Sequence, residues 1–174
     1  WIFAFILLSI DLLILLLRNT IPLTVSIVVP HVLVIWAYIE VKRGLALFYG
    51  VKNRVVTDYC IIAILTLLLF FNKSNVSFRI ATICIASILV FLDSIFLFRS
   101  KKAKQKVNFK IIFVLYHISI VFTAVRLVIG LKWASAGADI QLDTNLAVIA
   151  IIFFITNAFI FFVLFFIVLH KILS

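Results

Sequence analysis

Residues 146–169 are apolar throughout, broken only by Thr156 and Asn157. At about 1.5 Å of helical rise per residue, this run is long enough to cross a hydrocarbon layer of about 30 Å. It leads into His170, Lys171, Ile172, Leu173 and Ser174 with no Gly, Pro or turn sequence to stop a helix. A last transmembrane helix that leaves its membrane still helical is expected to continue into another element. The chain therefore reads as the membrane portion of a larger protein.

The rest of the sequence repeats the pattern. Two thirds of the residues are apolar and 13% are charged, which excludes an ordinary soluble domain. The apolar runs far exceed the roughly ten-residue alternating strands of an outer-membrane barrel, so helix is the expected spanning structure. Six runs stand out, at about 1–17, 24–48, 55–71, 78–98, 109–131 and 145–171. The expected fold is all-α, a polytopic transmembrane bundle of six helices, with residues 1–174 forming one domain. The first run has no basic leader and no small-residue cleavage site, so it is not read as a signal peptide. No Met occurs anywhere, which suggests a chain that begins partway through a longer protein.

The net charge of +10 is a topology signal because of where it falls. Lys42, Arg43, Lys52 and Arg54 crowd one link, and Arg99, Lys101, Lys102, Lys104, Lys106 and Lys110 crowd another. With Lys171, eleven cations lie on one side, against Arg18, Lys73, Arg79 and Lys132 on the other. The positive-inside rule puts the larger group, and the C-terminal end, in the cytoplasm. Contact with anionic headgroups accounts for the charge, and a nucleic-acid surface is not expected. Local punctuation agrees with the runs. Pro22 suits a helix start, Gly50 a helix end, and Asn72-Lys73-Ser74-Asn75 an external turn.

Polar groups at membrane depth point to function by default. Asp11 in the first run and Arg126 in the fifth fall at comparable depth from the outer side. Either they neutralise one another, or Arg126, with Arg18, anchors an anionic ligand in an outward-facing cavity. His31 follows Pro30, where a kink would free the Ser26 carbonyl. It is either a corner of the same pocket or a histidine bonded within its helix. His117 has a proton-sensing and a packing reading, and Asn157 suits contact between helices. Glu40 is expected to pair with Arg43 at i,i+3 and carries no functional expectation. The inner half of the bundle reads as poor in polar residues. Cys60 and Cys84 show no metal or disulfide spacing. No catalytic motif, cofactor site or metal set is present, so this chain itself is not expected to be an enzyme.

Several stretches resemble the N-terminal membrane region of bacterial diguanylate cyclases of the GGDEF type and of some sensor histidine kinases. They are the aromatic start Trp1-Ile2-Phe3, Arg18 before Pro22 in the first external turn, and Ser26-Ile27-Val28-Val29-Pro30-His31. Arg43-Gly44-Leu45-Ala46-Leu47-Phe48-Tyr49-Gly50, Ser77-Phe78-Arg79-Ile80, Arg126 and Asn157-Ala158 complete the set. The resemblance implies one further helix before Trp1, hence seven spans in the full protein. It also implies a sensory role for an undefined small ligand or membrane stimulus. Asn157, His170 and Lys171 would then lie on a signal-transmitting helix that forms a homodimer and drives a cytoplasmic cyclase or kinase domain. The Gly-Gly-Asp/Glu-Glu-Phe motif of the cyclase itself is not in these residues. The competing class is a transporter, channel or accessory membrane subunit, which would need a polar path through the bilayer.

Overall fold

The computed structural model describes residues 2–17, 20–53, 55–99 and 109–135, with isolated positions 163 and 166. These residues build five helices: α1 (Ile2–Leu16), α2 (Leu23–Tyr49), α3 (Val55–Phe71), α4 (Val76–Phe98) and α5 (Phe109–Ser135). No strand occurs among the described residues. The all-helical bundle is thus present with five helices rather than six, and the sixth expected run, 145–171, falls outside the described residues but for Val163 and Phe166. Three segments, Thr24–Tyr49, Val76–Phe98 and Ile112–Lys132, are long and apolar enough to cross a membrane. Ile2–Ile14 and Val55–Phe71 are shorter apolar helices. In hydrocarbon every backbone N–H and C=O must be satisfied within the segment, which is why such sequences become helices.

Short links set the order of the helices. α2 stops at Gly50, whose φ of 65° is left-handed and whose N–H closes onto Ala46 and Leu47 carbonyls. A residue with a Cβ is strained there. After four intervening residues α3 begins at Val55, so α2 and α3 are neighbours. Asn75 caps α4, its side chain accepting from Phe78 N at 2.9 Å. Pro22 sits immediately before α2 in an extended conformation, and α2 continues as helix through Pro30.

α2 is the centre of the assembly. α1 packs along it, α3 and α4 both touch it, α3 meets α4, and α5 packs along α4. Gly130 of α5 permits that last approach, since a Cβ there would stand 2.7 Å from Ile80 Cγ2 of α4. Aromatic rings link α2, α4 and α5. Tyr38 meets Phe91 at 5.1 Å, Phe91 meets Tyr116 at 5.9 Å, and Tyr49 meets Phe98 at 5.7 Å between ring centroids. Outer faces stay apolar, with Ile2, Leu16, Leu47, Val56 and Phe71 among the exposed side chains. Facing lipid, they carry no burial penalty.

Candidate functional site

The buried face of α2 runs through Tyr38, Lys42, Leu45 and Tyr49, at helical spacing and all at most 3% exposed. Lys42 thus occupies a core position and is 0% exposed. On α3 the buried residues are Asp58, Leu65 and Leu69, again one helical face. Asp58 is also 0% exposed. Packing α3 on α2 brings these two charges together, and α4 adds Asp93.

The result is a compact ionic network. Lys42 Nζ donates to Asp58 Oδ1, in a buried ion pair, and to Asp93 Oδ2 at 2.7 Å. Asp58 Oδ2 accepts from Arg43 Nε at 3.1 Å and from Asn53 Nδ2 at 2.9 Å. Arg43 Nη1 donates to Glu40 Oε1 at 2.7 Å, and Trp36 Nε1 donates to the same oxygen at 3.1 Å. The Arg43 guanidinium also lies 5.1 Å from the centre of the Tyr59 ring. One lysine therefore ties α2 to α3 and α4 at once. Arg43 Nη2 and Asn53 Oδ1 are buried without a hydrogen-bond partner, so the network is not fully satisfied.

Counting along the helices, Lys42, Asp58 and Asp93 lie on the order of 5–10 Å inside the helix ends. The α2–α3 link and the end of α4 bound this end of the bundle. Of the chain's six acidic residues, Glu40, Asp58 and Asp93 are gathered here. That corrects two expectations. The half expected to be the inner one is not poor in polar residues, because it holds the whole network. Lys42 and Arg43, counted with the link cations, do not lie in the link either. Both lie inside α2, paired with acids. Nine cations then remain against four, so the asymmetry along the sequence survives. The Glu40–Arg43 pair is present as expected.

The residues expected in the outer half are arranged differently. Asp11 belongs to the buried stripe of α1 with Ala4 and Leu7 and is 2% exposed, yet its Oδ1 has no hydrogen-bond partner. Tyr38 of α2 lies within electrostatic reach of both Asp11 and Arg126, and Cys84 of α4 within reach of Arg126. His31 and Arg126 are half-buried, and each is engaged with a neighbour. His117 points out of the bundle, with Nδ1 2.7 Å from the Phe113 carbonyl of its own helix. Arg18, Asn157, His170 and Lys171 lie outside the described residues.

Hydroxyls at depth are mostly spent on their own helices. Ser87, Ser94, Ser119 and Thr123 donate to the carbonyls of Ile83, Val90, Leu115 and Ser119. No group of three or more metal-ligating side chains occurs among the described residues. Asp58 is the residue that sequence reasoning missed. Its signal was an acid in the first turn of a helix, opposite a lysine on the core stripe of the preceding one.

The fold and its buried charges define a polytopic helical membrane protein. No family model, curated protein or solved structure matches the chain.

Proposed function

We propose that residues 1–174 are the membrane-embedded sensory region of a bacterial signalling protein of the inner membrane. A stimulus taken from the bilayer or the outer half shifts the last span, residues 145–171, against its copy in a homodimer. That shift regulates a diguanylate cyclase or histidine kinase domain following Ser174 in the cytoplasm. The observation that carries this reading is the ionic network on α2, α3 and α4. A lysine shared between two carboxylates on different helices has discrete paired arrangements, the kind of element whose equilibrium a stimulus can bias. The Arg43–Gly50 stretch behind the resemblance is the part of α2 that carries Arg43 of this network. Nine cations against four favour placing that end inside the cell.

The test uses the full-length protein in native membranes, with single Cys residues placed in turn along 155–169. Dimer crosslinks at helically spaced positions, altered by Lys42→Met, are expected; no crosslink at any position removes the dimeric relay. A stop codon directly after Ser174 would overturn the reading altogether.

The alternative, a transporter, channel or accessory subunit, draws on the same buried Lys42, because intramembrane ionisable residues also mark ion pathways. Solute flux into proteoliposomes that vanishes in Lys42→Met would establish it instead.

A further inference from the structure

We propose that the ionic network has one releasable contact, between Lys42 and Asp93, and that α4 with α5 slides there as a second body against α1, α2 and α3. The proposal rests on the reading of the network as the element a stimulus biases, and it names which of its pairs gives way.

The two carboxylates that share Lys42 are held unequally. Asp58 accepts from Lys42, Arg43 and Asn53, and its side chain is 0% exposed. Among the described residues Asp93 takes part in one such contact, accepting at Oδ2 from Lys42 Nζ at 2.7 Å, and this is where the network reaches α4. The Asp93 side chain is 15% exposed, and it stands five residues before the end of α4 at Phe98. Parting it from Lys42 leaves the ammonium paired with Asp58 and lets water at the helix end take up the freed carboxylate. Parting Asp58 instead would leave a fully enclosed carboxylate short of a charged donor, where water does not replace it. The cheaper break lies at α4.

The packing divides at the same place. α1 packs along α2, and α5 packs along α4. α2 is joined to α3 by several polar contacts, with the Arg43 guanidinium against the Tyr59 ring besides its bond to Asp58. Towards α4 the neighbours of Lys42 on the buried face of α2 make ring contacts, Tyr38 with Phe91 and Tyr49 with Phe98. Ser87 and Ser94, buried on α4, donate to carbonyls of their own helix. Apolar ring contacts tolerate a slide of about 1–2 Å between packed helices. A charge-assisted hydrogen bond is directional and is either made or broken. Lys42 and Asp93 therefore give the slide its two discrete positions.

The experiment is double electron–electron resonance on the full-length protein in lipid vesicles, diluted with unlabelled protein so that pairs within one chain are read. In a background of Cys60→Ser and Cys84→Ser, spin labels at Leu47→Cys and Phe96→Cys report α2 against α4, and labels at Leu47→Cys and Leu67→Cys report α2 against α3. All three labelled positions are exposed. Adding Asp93→Asn is expected to displace or broaden the α2–α4 distance distribution while the α2–α3 distribution stays as it was. An unchanged α2–α4 distribution, or an equal change in both, overturns the proposal. If Asp93→Asn fails to insert, the intact network decides: its α2–α4 distribution must be the broader of the two, and an α2–α3 distribution of equal or greater width overturns the proposal. Missing dimer crosslinks along 155–169 would remove the relay and leave these distances unaffected.

Discussion

Asp58 and Asp11 are the same side chain in nearly the same degree of burial, 0% and 2% exposed, each on the core stripe of its helix. Their surroundings are opposite. Asp58 collects donors from Lys42, Arg43 and Asn53. Asp11 leaves an oxygen without any. Burial alone therefore does not fix what an acid does in a membrane bundle; its partners do. The end at the α2–α3 link, expected to be the inner one, is fastened by charge, and the opposite end by packing around α1, α2, α4 and α5. An ionic fastening has alternative pairings, whereas a packed apolar contact has few, so the inner end is where a discrete rearrangement can arise.

The contrast is broken most directly by removing its central cation. Lys42→Met leaves Asp58 and Asp93 buried without the ammonium they share. The expected loss is about 3–5 kcal/mol of stability, the usual consequence of orphaning one side of a buried pair. Thermal or denaturant unfolding in mixed micelles measures it, and a loss under about 1 kcal/mol would mean the network does not hold α3 and α4 to α2. Asp58→Asn comes next, at about 2–3 kcal/mol, because Lys42 keeps Asp93 while losing its other charged acceptor. The double variant should fall short of the sum of the two by about 0.5–3 kcal/mol, since both single changes disrupt one interaction. Strict additivity would dissolve the network into independent contacts.

How much of this was legible beforehand depends on what each signal measures. Window hydropathy reports length and apolarity, and it located the described helices within a few residues; α3 coincides with its run at Val55–Phe71. Gly50 and Asn75 marked ends because their backbone or side-chain chemistry is local. Rotation of each helix was not legible. A helix in lipid is apolar all round, so no polar face reveals which side packs inward. Without that phase Lys42 looked like a link cation and Asp58 like nothing in particular, though both lie on inward faces. Glu40 and Arg43 could be paired in advance because i,i+3 contact needs no knowledge of neighbouring helices. The Lys42 contacts with Asp58 and Asp93 span 16 and 51 residues. They exist only once α2, α3 and α4 have docked.

A change at the outer end tests whether packing is what holds it. Gly130→Ala places a methyl 2.7 Å from Ile80 Cγ2, close to the branch point of a stiff side chain. α5 must back away from α4, at a cost of about 1–3 kcal/mol. The same unfolding assay reads this, and a neutral outcome would show that α4 and α5 are loosely apposed there. The expected cost is smaller than that of losing Lys42 because a methyl group can be partly accommodated and a buried charge cannot.

Asp11→Asn has the smallest expected effect and bears hardest on the comparison. It repeats at the outer end the substitution that costs about 2–3 kcal/mol at Asp58. The side chain keeps its shape while the charge-bearing oxygen becomes an NH2 group. If no ionic partner holds Asp11, one polar group replaces another in the same space, and the change in stability stays within about 1 kcal/mol. Two measurements would break the symmetry the other way. A loss as large as that of Asp58→Asn would require an ionic partner for Asp11, making both ends charge-fastened. A gain of several kcal/mol would mean that an unpaired carboxylate had been buried at its full desolvation cost. Near-neutrality, beside a large loss at Asp58, is the outcome in which the two ends are built on different principles.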